Sequence, residues 1–465
     1  MTKSSSIFRR FIGTRSFYRQ VLILLIPVVI QNSMTNLVNL LDNLMVGAIG
    51  TVPMSAVAII NQLLFVFTLC IFGCISGPSI YATQFAGAKD NNGIRHCFRI
   101  KLWVCAIVVL VSIVTFLTIP DLLINAFLKG EAAVGDVEAT LQFAHKYLRI
   151  MLFGLPPFAL SMIYATALRE LGETRMPMFA SVAALAVNLV FNYLLIFGKF
   201  GLPCLGVSGA AIATVLSRFV ELALIASYTH LNKGAYPFIQ RAYSSMHVPL
   251  KLLLTVAKRG VPLMLNELLW AAGISAIVQC YSLRGLHIVA ANTIAINAVT
   301  LFNCIFYSMS SAISVIIGQE LGANHLSTIK DTAWQLVAVS LAISLVVASM
   351  LFIVAPYIPL LYNTEDDVRQ IATSLMRIFC IISPFLAVTH CCYFTIRAGG
   401  RSMITFWLDS GFTWLCIFPV SWYIGRYTDI PILPFFFLSR GTEIIKTFIA
   451  LALLKSGVWM KNIVS

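Results

Sequence analysis

Long apolar runs recur along almost the whole chain and constrain its fold more than any other feature. Each run has about the 20 residues that a helix needs to cross a membrane, and charged residues or Gly/Pro turns separate the runs. We therefore predict an all-α integral membrane protein with 12 transmembrane helices. The predicted spans are 20–46, 53–82, 98–119, 141–167, 177–197, 208–230, 255–282, 289–317, 333–355, 370–396, 403–424 and 434–454.

The composition excludes the main soluble classes of protein. Residues of the apolar set make up 59% of the 465 residues and charged residues 11%, whereas an average soluble domain carries about 25% charged residues. A soluble enzyme, a disordered protein or a DNA-binding domain needs more polar surface than this. Ten of the eleven cysteines lie in or beside apolar runs, and Cys204 lies in a predicted outer loop. We interpret all eleven as free thiols and expect no metal site.

The basic residues are distributed unequally between the two sides of the predicted spans. The net charge is +14; 21 Lys and Arg residues fall in the two termini and the even-numbered connections, and 5 in the odd-numbered connections. Because cytoplasmic loops carry the excess of Lys and Arg, we predict a multi-pass protein of the cytoplasmic (inner or plasma) membrane with both termini in the cytoplasm. The same rule explains the basic charge without a nucleic-acid partner.

Four short motifs occur in the same order in both halves of the chain, at offsets of 235, 235, 228 and 222 residues. Each match alone is weak, but their common order indicates an internal duplication. The matching pairs are Pro27 and Pro262; Gln-x-x-Gly-Ala at 84–88 and 319–323; Arg-x-x-Gly at 169–172 and 397–400; and Ser-Arg-x-x-Glu at 217–221 and 439–443.

The duplication predicts two pseudo-symmetric six-helix lobes. Because six spans are an even number, both lobes share one orientation and are related by an axis along the membrane normal. Two parallel lobes favour alternating access, and hence a transporter. The predicted divisions are a cytoplasmic segment 1–19, an N-lobe 20–230, a cytoplasmic linker 231–250, a C-lobe 251–455 and a cytoplasmic tail 456–465.

Span 1 carries a polar face inside the membrane. Gln31, Thr35, Asn39 and Asp42 lie within about 80° of one another on a helix, so this face is expected to line a cavity. Pro27 precedes it by one turn and removes a backbone hydrogen bond, which makes it a predicted hinge. The alternative for Asp42 is a structural carboxylate that caps a neighbouring helix.

Asn188 and Asn192 share a face of span 5 because they are four residues apart. Amide oxygens together with a carboxylate are suitable ligands for a small cation. The alternative is hydrogen bonding between helices, the usual role of a lone Asn in a membrane.

Glu267 lies in span 7 beside Asn266 and Trp270, and a carboxylate next to an aromatic ring suits an organic cation. Pairing with a basic residue is the alternative for Glu267, and simple packing is the alternative for His390. Asp409 has no assigned role. Two further pairs at i,i+3 spacing, Arg218 with Glu221 and Arg440 with Glu443, are interpreted as self-neutralising structural pairs.

Five motifs distributed along the chain are Pro27…Gln31…Asp42-Asn-Leu-Met-Val-Gly47, Gln84-Phe-Ala-Gly-Ala88, Leu168-Arg-x-x-Gly-x-Thr-x-x-Pro177, Asn188-x-x-x-Asn192 and Gly206-Val-x-Gly-Ala-Ala-x-Ala-Thr214. In these motifs the sequence resembles the MATE (multidrug and toxic compound extrusion) transporters at family level, over essentially the whole chain. The resemblance implies an N-lobe cation site formed by Asp42, Asn188, Asn192 and Thr214.

The C-lobe departs from the pattern of NorM-like members of that family. Leu386 occupies the place of their acidic residue in the tenth helix, and His390 is the nearest titratable group. Their seventh-helix Glu would fall near Trp270, whereas Glu267 is one turn earlier. Asn192 also stands where some relatives have Asp, which leaves both H⁺ and Na⁺ open as the coupling ion.

We therefore predict a secondary active multidrug efflux antiporter, not an enzyme, that exports amphipathic or cationic compounds in exchange for H⁺ or Na⁺. It would act as a monomer in the lipid membrane and need no cofactor besides the coupling ion. The alternatives are a lipid-linked oligosaccharide flippase of the same superfamily, a polytopic membrane enzyme and a channel. The predicted substrate-binding residues are Glu267, Asn266, Gln31, Trp270 and His390.

Overall fold

The computed structural model describes residues 11–131, 137–362 and 364–464, so the first ten residues of the predicted segment 1–19 lie outside it. Every long regular element among the described residues is a helix, which confirms the all-α prediction there. The helices are α1 Arg15–Gly47, α2 Thr51–Gly87, α3 Asn91–Thr118, α4 Pro120–Glu131, α5 Val137–Leu152, α6 Leu155–Glu170, α7 Arg175–Phe197, α8 Val207–Leu231, α9 Leu250–Ser282, α10 Leu286–Gly322, α11 Ile329–Val354, α12 Asp366–Ala398, α13 Ser402–Tyr427 and α14 Ile432–Ser456.

Ten of the described helices are long and apolar enough to cross a membrane, and the number is eleven if α5 and α6, which meet at a bend of 47°, are counted as one span. The predicted twelfth span coincides with α14, a helix of 25 residues. This helix carries Arg440, Glu443 and Lys446 within two turns, and charged side chains are costly inside a membrane. Each predicted span thus corresponds to a helix or to the bent pair.

Two features of the helices differ from a simple series of straight spans. Helix α4 occupies a stretch expected to be an outer loop, and Asp121 lies in its first turn, where a carboxylate favours the positive end of the helix dipole. Helix α13 contains two π-helical segments, Trp407–Gly411 and Thr413–Ile417. A π turn is wider than an α turn, so it shifts the angular position of every later side chain.

By spatial proximity the chain divides into two compact units. The C-terminal unit comprises Met1–Val29, Thr83–Asp90 and Lys258–Ser465, and the N-terminal unit comprises Ile30–Ala82 and Asn91–Ala257. Helix α1 is therefore shared, and the division falls two residues after Pro27. The sequence-based boundaries of the two lobes, 20–230 and 251–455, stay a prediction.

The Gln-x-x-Gly repeats pack against each other within the C-terminal unit. A Cβ atom on Gly87 would lie 2.0 Å from the carbonyl oxygen of Gln319, and one on Gly322 would lie 1.8 Å from that of Gln84. Both positions therefore require glycine. Gln84 is fully buried, donates to the carbonyl of Ala398 over 2.9 Å, and accepts from the backbone of the C-terminal tail.

The linker is fastened to α3 in the N-terminal unit. The guanidinium of Arg99 donates to the backbone carbonyl oxygens of Arg241, Ala242 and His247 at 2.8–3.0 Å. Because these carbonyls are not paired within a helix, Arg99 replaces the partners that regular structure would give them.

Candidate functional site

The four residues predicted to bind the coupling ion form one hydrogen-bonded group in the N-terminal unit. Asn192 Nδ2 on α7 donates to Asp42 Oδ1 on α1 and lies 3.2 Å from Asn188 Oδ1. Asn188 Nδ2 donates to Thr214 Oγ1 on α8 over 3.3 Å, and that hydroxyl donates to the carbonyl of Ala210. We call Asp42, Asn188, Asn192 and Thr214 the Asp42 group.

Local sequence explains how α7 and α8 bring these side chains together. Asn188 and Asn192 are one turn apart, and both are buried. Gly209 allows α8 to approach α7 closely, because a Cβ there would lie 2.6 Å from the carbonyl oxygen of Leu195. The close approach places Thr214 within hydrogen-bond distance of Asn188.

The Asp42 group offers oxygen atoms of three kinds: carboxylate, amide and hydroxyl. Among the described residues, no Lys or Arg forms an ion pair with Asp42, and the buried Asn192 Oδ1 has no hydrogen-bond partner. Hard oxygen atoms of this kind bind small cations, and a carboxylate also binds a proton. The chemistry of the Asp42 group therefore suits a small cation or a proton.

Gln31 belongs to a second chain of hydrogen bonds in the N-terminal unit. Arg169 Nη2 donates to Gln31 Oε1 over 2.6 Å, Gln31 Nε2 donates to Ser181 Oγ over 2.6 Å, and Ser181 donates to Glu221 Oε1 over 2.5 Å. We call these four residues the Gln31 network. Sequence reasoning missed Ser181 as a member, although Arg169 and Glu221 stood in the repeated motifs.

The interpretation of the i,i+3 pairs as self-neutralising is wrong for the described side chains. Among the described side chains, no ion pair joins Arg218 to Glu221 or Arg440 to Glu443. Glu221 accepts a hydrogen bond from Ser181, and Glu443 Oε2 lies 3.6 Å from Lys446 Nζ. Spacing on one helix brings two side chains to the same face, but each glutamate carboxylate contacts a different donor that lies closer to it.

In the C-terminal unit, Glu267 forms an ion pair instead of standing free. Its Oε1 lies 3.4 Å from Arg397 Nη1, and the two side chains are 15% and 7% exposed. Trp270, one turn further along α9, is 38% exposed. The alternative prediction for Glu267, pairing with a basic residue, thus holds in the structure. An organic cation would have to compete with Arg397 for the carboxylate.

Asn266 is buried beside Glu267 and connects three helices. Its Nδ2 donates to Tyr393 Oη over 3.2 Å and to Asp409 Oδ2 over 3.1 Å, and its Oδ1 accepts from the Ser410 hydroxyl over 2.8 Å. Asn266 therefore links α9 to α12 and α13. Sequence reasoning gave Asp409 no role, and the structure makes it a central member of this cluster.

His390 lies among aromatic rings. The ring centroids of Phe394, Tyr307 and Phe306 are 4.7, 5.3 and 6.0 Å from that of the imidazole, and its Nε2 has no hydrogen-bond partner among the described residues. Phe306 is buried, so His390 and its neighbours form an aromatic packing cluster, which agrees with the alternative of simple packing.

Comparison with known proteins identifies the class. A family model described as MatE matches two segments, residues 27–194 and 262–422, which begin at the two prolines of the repeat. The probable multidrug resistance protein NorM of Thermotoga maritima is 24% identical over 96% of this chain and 94% of its own length. The multidrug resistance protein MdtK of Yersinia pseudotuberculosis is also 24% identical, over 88% of this chain and 86% of its own length.

Solved structures show the same fold. The outward-facing conformation of a multidrug resistance MATE family transporter superposes with a TM-score of 0.82 and 19% identity, over 98% of this chain and 99% of that one. The chain thus shares the fold of these proteins, an all-α membrane fold of 12 helices in two pseudo-symmetric lobes, and the family match makes it a multi-pass membrane transporter. The chain belongs to the MatE family.

Proposed function

We propose that this transporter is a secondary active efflux antiporter that exports amphipathic, mainly cationic, compounds in exchange for H⁺ or Na⁺. The observation that carries the proposal is the Asp42 group, a carboxylate with amide and hydroxyl oxygens and no basic partner among the described residues. The names of the NorM and MdtK relatives support multidrug export as the physiological role.

The ion and the substrate would compete for the N-terminal unit, and this competition would couple ion entry to substrate export. Binding of H⁺ or Na⁺ neutralises Asp42, and its hydrogen bond from Asn192 must rearrange. Pro27 allows α1 to bend because its nitrogen donates no backbone hydrogen bond. The division of α1 between two compact units next to Pro27 supports this hinge.

The predicted substrate-binding residues would then act in two places. Trp270 and the rings around His390 offer aromatic surface, and Glu267 offers a negative charge shared with Arg397. Asn266 and Gln31 already use their amide groups in the hydrogen bonds described above, so a polar substituent would have to displace one of those bonds. Because the carboxylate of Glu267 is already paired, we expect aromatic contact to contribute more to affinity than this charge does.

The charge distribution supports a cytoplasmic-membrane location with both termini in the cytoplasm. In this orientation the linker fastened by Arg99 is cytoplasmic, and Cys204 faces the outside. We propose a monomer that requires a coupling ion and no cofactor.

The test is uptake of a fluorescent organic cation into inside-out proteoliposomes. An inside-acid pH gradient and an inside-high Na⁺ gradient are imposed separately on the wild type, on Asp42→Asn and on Asp429→Asn. Asp429 is an exposed loop carboxylate and serves as the matched control. We expect uptake under one gradient in the wild type and the control, and its loss in Asp42→Asn.

Full gradient-driven uptake by Asp42→Asn would refute the proposed coupling site. If folded wild-type protein takes up no cation under either gradient, the antiporter proposal fails. A labelled-lipid assay would then test the flippase alternative.

A further inference from the structure

Lys446 places a buried ammonium group between two carboxylates of the C-terminal unit. Its Nζ lies 2.9 Å from Asp409 Oδ1 on α13 and 3.6 Å from Glu443 Oε2 on α14. The side chains of Lys446 and Glu443 are each 7% exposed, and Glu443 Oε2 has no hydrogen-bond partner among the described residues. Among the described residues, Lys446 is thus the ion-pair partner of both acidic groups.

Neighbouring groups fix the carboxylate of Asp409 in place. Its second oxygen, Oδ2, accepts from Asn266, whose own oxygen accepts from Ser410. Asp409 and Ser410 lie on the π-helical segment Trp407–Gly411 of α13. π turns are frequent at functional sites, because they project side chains that a regular helix would direct elsewhere.

The internal repeat shows what the cluster has changed relative to the N-terminal unit. At the offsets of the repeated motifs, Arg397, Asn266 and Glu443 correspond to Arg169, Gln31 and Glu221 of the Gln31 network. The two remaining positions differ in charge. Asp409 corresponds to Ser181, and Lys446 corresponds to Leu224.

Compared with the Gln31 network, the C-terminal cluster therefore has one more acidic and one more basic side chain. In the Gln31 network, Ser181 donates directly to Glu221. An aspartate at that position has no proton to donate, so Asp409 and Glu443 would face each other as two anions. Lys446 supplies a positive charge that offsets the repulsion between the two carboxylates, since like charges in a low dielectric are strongly unfavourable.

The carboxylate of the Asp42 group is in the opposite situation. Its hydrogen-bond donor is an amide, and no described Lys or Arg forms an ion pair with it. A mobile cation can therefore neutralise Asp42, whereas at Asp409 a covalently attached cation is already in place.

We propose that Asp409 and Glu443 form a monovalent-cation site whose resident occupant is the ammonium group of Lys446. The inference rests on the proposed function, and it deepens it. The C-terminal unit exchanges no ion, so each transport cycle uses the single coupling site at Asp42. Removal of the tethered ammonium opens the site to a free alkali cation or a small alkylammonium ion.

The experiment measures the thermal unfolding midpoint, Tm, of the purified full-length transporter at mildly alkaline pH. Each variant is made in the Asp42→Asn background, so that a cation effect cannot arise at the Asp42 group. NaCl, KCl and methylammonium chloride are compared with choline chloride at equal ionic strength. Lys446→Ala vacates the site, and Lys446→Met removes the same charge while filling the space.

We expect Lys446→Ala to have a lowered Tm in choline chloride that rises by several degrees with increasing concentration of at least one small cation, as ligand binding to the folded state requires. Lys446→Met and the parent should show no such rise. A Tm of Lys446→Ala that is indifferent to all three cations, or an equal rise in Lys446→Met, would overturn the proposal.

A second variant decides the question if Lys446→Ala does not fold. The double variant Asp409→Ser with Lys446→Leu introduces the residues that stand at the corresponding positions of the N-terminal unit, Ser181 and Leu224. It removes the charges of Asp409 and Lys446 together. We expect its Tm to lie near that of the parent in every salt. A double variant as unstable as Lys446→Met would show that Lys446 does not serve Asp409. Transport by Asp42→Asn alone tests the proposed function, so the two failures are distinguishable.

Discussion

The close contact of Gly322 with the backbone of Gln84 predicts a large effect of one methyl group. In Gly322→Ala the new Cβ would lie 1.8 Å from the Gln84 carbonyl oxygen, whereas ordinary contact begins at 3.4 Å. The two segments must therefore separate by about 1.6 Å. Gaps of 0.5–1 Å already forfeit a quarter to a half of the dispersion attraction, and overpacking costs about 1–3 kcal/mol or more. We expect the free energy of unfolding to fall by about 3 kcal/mol, the upper end of that range.

The assay is thermal unfolding of the purified protein, with Gly441→Ala as the matched control. A Cβ on Gly441, in the interior of α14, meets no atom within 4 Å. The control should leave the Tm unchanged or raise it, since Ala favours a helix over Gly by about 1 kcal/mol. Gly322→Ala should lower the Tm by on the order of 5 °C. Equal midpoints for the two variants would refute the close-packing argument.

Three further predictions follow from contacts in the N-terminal unit. Lys101→Met should destabilise the protein by about 3–5 kcal/mol, because it removes the ammonium group that lies 2.5 Å from the buried carboxylate of Glu170. Thermal unfolding measures this loss, and the reasoning fails if adding Glu170→Gln recovers none of it. Arg99→Lys should speed proteolysis within 241–247, because a compact ammonium group lacks the planar fork with which Nε, Nη1 and Nη2 reach three separate carbonyls. An unchanged cleavage rate would contradict this reasoning. Cys204 is exposed, and the other ten cysteines are buried or half-buried. A membrane-impermeant maleimide should therefore label the wild-type protein in intact cells but not the Cys204→Ser variant. Labelling confined to inside-out vesicles would reverse the predicted orientation.

Most of the helical framework could be predicted from the sequence because hydrophobic length alone determines it. The bend between α5 and α6 and the helix α4 were not predicted, since neither changes the count of apolar runs. The Asp42 group came from spacing on α7 and from family resemblance; the structure adds that its members are hydrogen-bonded to one another.

The ammonium–carboxylate cluster of the C-terminal unit could not be predicted by the same reasoning. Spacing along α14 suggested Arg440 as the partner of Glu443, but Lys446 is also three residues from Glu443 and in addition reaches Asp409 on another helix. A helical wheel could not place Asp409, because the π turn that carries it breaks the period of 3.6 residues. Rotation of one helix against its neighbours depends on packing over the whole unit, which local spacing does not encode.

The reciprocal contact of the two Gln-x-x-Gly repeats has a consequence for the origin of the chain. Gly87 meets Gln319 while Gly322 meets Gln84, so the same surface occurs on both sides of the contact. Such mutual contact is the property of an isologous interface between identical subunits. A half-length ancestor carrying one motif could therefore have paired with its own copy in the membrane, in parallel orientation, before gene fusion joined the two copies.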